Sequence, residues 1–166
     1  MLEPPVVVEL EPMTIATVRI TVPRSEIVRA MGPGKAELLK VVASQGLETT
    51  GPWFTHHFRM DPAVFDFEIG VPVARPVVPE GRVVPGARPA MRVARTVYRG
   101  PYDGLGQAWG EFLVWVAKAG HVGTDELWET YELGPETSAD ATTYRTRLER
   151  PLRGRARVRD ASHPPS

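Results

Sequence analysis

The sequence predicts an α+β fold of two similar β-α-β-β units related by pseudo-two-fold symmetry, with antiparallel sheets, helices packed on one side and a ligand cleft between the halves. Three observations lead there. Apolar residues alternate with polar ones over several short β-rich stretches, and two longer stretches carry apolar residues at helical spacing, each running into a glycine, Gly46 and Gly120. A segment dense in proline and glycine, 75–89, divides the chain so that the same order of elements falls on either side.

Residues 6–10 and 14–22 are rich in β-formers, and in the second stretch Thr14, Ala16, Val18, Ile20 and Val22 alternate with Ile15, Thr17, Arg19 and Thr21, which sets the more apolar row on one face. A helical pattern follows over 24–46. Gly32-Pro33-Gly34 is expected to break it, leaving a main helix from Pro33 to Gln45 that buries Leu38, Leu39, Val41 and Val42. Gly51-Pro52 opens a strand reaching Phe58, Asp61-Pro62 turns the chain, and 64–73 returns as the second strand of a hairpin. There Phe65, Phe67, Ile69 and Val71 share one face, Asp66 and Glu68 the other. The 75–89 segment reads as an irregular linker, since Pro76, Pro79, Gly81, Pro85, Gly86 and Pro89 resist regular structure. Beyond it come a strand at 90–99, a turn at Gly100-Pro101-Tyr102-Asp103, a helix at 104–119 and strands at 126–133 and 142–150. On that helix Leu105, Trp109, Phe112, Leu113 and Val116 form one stripe, Asp103 is the expected N-cap, and Lys118 suits the C-terminal end.

These elements make one domain over 1–152, with repeats at 6–74 and 90–152. At 166 residues the chain is long enough to bury about two-thirds of its unfolded surface without a staple. With no cysteine it has no disulfide, thiolate metal site or cysteine nucleophile, which suits a cytoplasmic location. The Met1-Leu-Glu-Pro-Pro start lacks the basic, then apolar character of a signal peptide, and no stretch approaches the about 20 apolar residues a membrane span needs. The formal charge is zero but uneven. Residues 153–166 hold four arginines against Asp160 alone, so that segment is +3 and the body −3. An acidic body offers no footprint for nucleic acid, and the Arg-, Pro- and Ser-rich tail reads as disordered.

At Val97-Tyr-Arg-Gly-Pro-Tyr-Asp-Gly-Leu105, followed by Ala108-Trp109 and Trp115, the sequence resembles the second half of gyrase-inhibitor-like (GyrI-like) effector-binding domains, found also in AraC-type and multidrug-sensing regulators. Leu127-Trp-Glu-Thr-Tyr131, Gly134-Pro135 and Tyr144-Arg-Thr-Arg-Leu-Glu-Arg-Pro-Leu152 are similar to that family's later strands. Gly51-Pro-Trp-Phe54 and 65–73 resemble its first repeat more loosely, so the likeness covers 6–152. It leaves no room for a helix-turn-helix module and implies no direct DNA binding.

The resemblance implies a pocket carboxylate at Glu129 that pairs with cationic ligands. Strand alternation places Glu129 and Tyr131 on one face, with Trp128, Thr130 and Glu132 on the other. Matching the hairpins sets Thr55 and His57 opposite them. His57 departs from the family, which often has Tyr there, and suggests a hydrogen-bond donor or a proton-exchanging group near neutral pH. Glu68 is a second candidate carboxylate, Trp109 and Trp53 candidate cleft walls, and Tyr102 a rim hydroxyl. His56 and His57 point to opposite faces, so with only His121 and His163 besides them no metal site is expected.

The sequence lacks a Gly-x-Ser-x-Gly elbow, a phosphate-binding loop and a dinucleotide fingerprint, and no cofactor is expected. The leading functional reading is reversible binding of a hydrophobic, aromatic, cationic small molecule, for sensing or sequestration, by a monomer or weak dimer. The alternative, implied by relatives of this fold, is a cofactor-independent hydrolase that opens strained cyclopropane-bearing compounds, with Glu129 and Tyr131 catalytic. A third reading, protein contact with DNA gyrase, would need an acidic mimic of DNA stronger than a body charge of −3.

Overall fold

The computed structural model of the chain describes residues 1–59 and 61–154. Eight strands, β1 (Val6–Leu10), β2 (Met13–Pro23), β3 (Phe54–His57), β4 (Val64–Pro72), β5 (Val83–Arg88), β6 (Met91–Arg99), β7 (Leu127–Leu133) and β8 (Arg145–Pro151), form one antiparallel sheet in the order β1-β6-β8-β7-β3-β4-β2-β5. Two helices accompany it, α1 (Ile27–Ser44) and α2 (Leu105–Lys118). The fold is therefore α+β, and the pairing of β3 with β7 makes one continuous sheet of the two halves. Among the described residues no helix is long and apolar enough to cross a membrane.

Chain connectivity forces this sheet to curl. β1 and β2 stand six places apart in the order, about 29 Å in a flat sheet, yet only Glu11 and Pro12 join them, a reach of about 11 Å. Pro89 and Ala90 impose the same constraint on β5 and β6.

Four local expectations are corrected. The helix runs through Gly32-Pro33-Gly34 because Pro33 faces solvent, and because Gly34 lets α1 approach so closely that a Cβ there would overlap the ends of Ile20 and Ile69. Packing outweighs the lost hydrogen bond. Leu39 is 37% exposed, since Leu38, Val41 and Val42 already occupy the sheet-facing stripe. The 75–89 segment is not wholly irregular: it contains β5, whose Pro85 is tolerated because β5 lies at the sheet edge. Asp103 also fails as an N-cap. It sits in a 3-10 turn at Tyr102–Gly104, and Gly104 precedes the helix with no side-chain cap. Gly46 does stop α1, with φ of 64°.

The sheet buries apolar side chains on both faces. Ala16, Val18, Ile20, Phe67, Ile69 and Val71 pack against Leu38, Val41 and Val42 of α1, while Ala94, Tyr98, Leu127 and Leu148 pack against Ala108, Trp109, Phe112 and Val116 of α2. On the opposite face Ile15, Phe54 and Trp128 form a separate cluster, with Met13 and Met91 packed against it. Phe54 lies across Gly70, its partner on β4, so closely that any Cβ at that position would meet the ring.

Candidate functional site

A cleft of about 550 Å³ opens on the helix side of the sheet, floored by β3 and β7. His57, Leu127 and Glu129 make its floor, the start of α2 supplies Leu105, Gly106 and Trp109, and the preceding turn supplies Tyr102. The facing wall is Arg24, Ile27 and Met31 from the approach to and first turns of α1, with Phe65 of β4 and Arg59 and Asp61 from the β3–β4 turn. That turn is held by Asp61 Oδ1, which accepts from the N–H groups of Ala63 at 2.7 Å and Val64 at 3.2 Å.

Glu129 lies at the centre of a hydrogen-bond relay. Trp109 Nε1 donates to Oε2 at 2.5 Å and the Tyr131 hydroxyl donates to Oε1 at 2.6 Å. Tyr131 has a single hydroxyl proton, so Thr55 Oγ1, 2.8 Å away, donates to it. Burial pushes the Glu129 carboxyl above its ordinary range, and the Tyr131 and Trp109 donors only partly oppose it. Burial, then the neighbouring Glu129, lifts the Tyr131 hydroxyl well above a normal phenol. Among the described residues no basic side chain forms an ion pair with Glu129.

His57 stacks on Phe67 at 5.1 Å between ring centroids and meets the edge of Phe65 at 5.7 Å. Burial, reinforced by His56 and Arg24, holds its pKa down at about 4. The expected proton exchange near neutral pH is thereby corrected: the ring is neutral there and offers a hydrogen bond and an aromatic face. The Tyr102 hydroxyl, raised to about 12 chiefly by burial, has no hydrogen-bond partner among the described residues. Arg24 lies over the Phe65 ring, 4.1 Å from its centroid, and donates to the Asp61 carbonyl at 3.1 Å.

Of the residues singled out from sequence, Glu129, His57, Trp109 and Tyr102 line this cleft. Tyr131 and the fully buried Thr55 instead support Glu129. Trp53 stacks on Tyr131 at 4.2 Å and carries the Lys35 ammonium over its ring, so it backs the relay without walling the cleft. Glu68 is corrected outright. It sits on the other face, where it and Glu126 hold the two ring nitrogens of His56 at 2.8 and 2.6 Å. Sequence reasoning missed Arg24, Ile27, Met31, Arg59, Asp61 and Leu127. Phe65 packs against the core on the face that its alternation with Phe67 and Ile69 indicates, and, near the end of β4 that pairs with Val22 and Pro23, it also lines the cleft.

The chain resembles solved structures closely in fold. The EcmrR C-terminal domain matches with a TM-score of 0.78 and 23% identity over 90% of this chain and 96% of that one. In the complex of EcmrR with DNA the score is again 0.78, at 24% identity over 91% of this chain, which spans 57% of the EcmrR chain. SAV2435 bound to tetraphenylphosphonium matches at 0.64 and 10% identity over 97% and 100% of the two chains. A hydrolase from Listeria innocua matches at 0.63 and 12% over 89% and 91%. No curated protein sequence matches the chain. The model of the GyrI-like small molecule binding domain matches residues 3–153, essentially the whole chain, and the protein belongs to that family.

Proposed function

We propose that the chain binds an aromatic, cationic small molecule in the cleft and serves drug or effector sensing or sequestration. The observation that carries this reading is Glu129: a carboxyl at the floor of an aromatic and aliphatic cleft, held by two neutral donors and lacking a basic partner among the described residues. A delocalised cation entering there would restore the charge balance that burial denies the carboxylate, and Trp109, Tyr102 and His57 would offer it π faces. Arg24 over Phe65 indicates that the walls suit a planar cation. SAV2435 supplies a precedent for a bound organic cation on this fold.

We further infer that residues 1–152 act as one unit in which β2-α1-β3-β4 and β6-α2-β7-β8 are copies related by approximate two-fold symmetry. The strand order supports this, because from the β7–β3 seam outward each unit runs second strand, third strand, first strand, β7-β8-β6 on one side and β3-β4-β2 on the other. A second functional reading rests on the raised carboxyl of Glu129, which suits a general acid in a cofactor-independent hydrolase of strained electrophiles. The deciding experiment incubates wild type and Glu129→Gln with planar cationic dyes and neutral analogues, follows thermal shift and fluorescence, and recovers the compound for mass spectrometry. Cation-selective stabilisation that the variant loses, with compound intact, supports binding. Hydrated product from wild type alone supports hydrolysis, and no binding to either form rejects the role of Glu129.

A further inference from the structure

A second cavity, of about 340 Å³, lies on the face away from the helices and shares no lining residue with the cleft. Its apolar part is Phe54 and Trp128, whose rings lie 5.2 Å apart. Its polar part is three arginines drawn from separate strands, Arg88 of β5, Arg95 of β6 and Arg147 of β8, which the curl of the sheet brings together.

The charges here do not balance. Glu149, 2% exposed, is satisfied by Arg95, whose Nε and Nη2 donate to its Oε2 at 2.8 and 2.6 Å. Arg147 keeps a single long ion pair, 3.5 Å to Glu132. Arg88 has no carboxylate within ion-pair distance among the described residues and donates only to the Glu11 carbonyl, at 3.0 Å. Burial lowers its pKa, and the nearby Arg147 and Arg95 add to this against the pull of Glu149. Three buried donors on lining residues lack a hydrogen-bond partner among the described residues: Arg88 Nε, Arg147 Nε, which has only the 3.5 Å ion pair to Glu132, and Trp128 Nε1, on a tryptophan only 3% exposed. Native proteins rarely leave buried donors unpaired, and a cavity lined by three arginines and no carboxylate favours an anion.

We propose that this cavity is a binding site for a small aryl carboxylate, its carboxylate held between Arg88 and Arg147 and its ring against Trp128 and Phe54. The volume lies at the small end of ligand pockets and suits a one- or two-ring compound. The site is independent of the cleft and of whatever the cleft binds.

The test titrates naphthalene-2-carboxylate, naphthalen-2-ylmethanol and inorganic phosphate into the full chain, using calorimetry and the indole N–H signals of the tryptophans, with Trp128→Phe assigning one of them. The carboxylate is expected to bind at least about tenfold more tightly than the alcohol, to move the Trp128 signal, and to weaken about tenfold in Arg88→Gln. Arg147→Gln should weaken it likewise and covers the case in which Arg88→Gln folds poorly. Arg82→Gln, which removes one positive charge beside Glu37, and Glu129→Gln should leave binding unchanged. Equal affinity for acid and alcohol, indifference to both cavity variants, or a shift confined to indole signals other than that of Trp128 would overturn the site. Phosphate binding as tightly as the naphthoate would overturn its aromatic half.

Discussion

Thr55, His57, Glu129 and Tyr131 share the face of β3 and β7 that carries the cleft, where Glu129 meets neutral donors and His57 aromatic rings, whereas His56, Trp128 and Thr130, one residue away on the same strands, meet carboxylates and arginines. Adjacent histidines show the contrast best. His57 stacks on a phenylalanine and is held neutral by burial, while His56 stacks on Trp128 at 3.9 Å with a carboxylate at each ring nitrogen. Two-residue strand periodicity therefore lets one stretch of chain build two environments of opposite character. What separates them is the sheet itself, and its thinness means that damage at the seam should reach both sides.

The largest effect is expected from Phe54→Ala, which removes a ring 1% exposed at that seam and should cost about 3–5 kcal/mol in urea unfolding. If cleft ligands and aryl carboxylates then bind as before, the two sides are less connected than the packing indicates. Gly70→Ala attacks the same place from β4 by placing a methyl where the Phe54 ring lies, and should cost about 1–3 kcal/mol. A neutral result there would mean that the ring has room to move.

Glu129→Gln should change stability little, because the amide oxygen keeps one donor, but should reduce the preference for cationic over neutral ligands about tenfold or more in paired titrations. Cation affinity in wild type should rise with pH and level off above the raised pKa of Glu129, with proton release on binding. Flat affinity across that range would remove the carboxylate from the account.

The smallest effects concern folding and pH, and the two cleft groups act in opposite directions. His57 falls from 6.5 to about 4 on folding, so the unfolded chain binds more protons in that window and stability drops as pH falls through it. Glu129 rises from 4.5, so the folded chain binds more protons there and stability drops as pH climbs through its folded pKa. His57→Phe should flatten the urea midpoint between pH 4 and 6.5 relative to wild type, and an unchanged slope would mean that the ring is not held neutral.

Much of this was legible in the strands. Alternation assigned Glu129 and Tyr131 to one face and His56 and His57 to opposite faces, and the helical stripe of Trp109, Phe112 and Val116 packs against the sheet as its spacing indicates. Glu68 was misplaced because alternation tells which residues share a face, not which face meets the cleft. Thr55 was sorted to the correct strand and Trp53 falls just before it, but supporting and lining residues carry the same pattern.

The sequence by itself determined the α+β class, the order of elements, the stop at Gly46 and the family, because local spacing and motif order carry those. Tertiary structure decided the rest. It carried α1 through Pro33 by seating Gly34 against Ile20 and Ile69, drew β5 out of a proline-rich segment by offering it an edge on β2, and curled the sheet until Arg88 stood beside Arg95 and Arg147. Each depends on contacts between residues far apart in the chain, whose free energy exceeds the local preferences that a sequence displays.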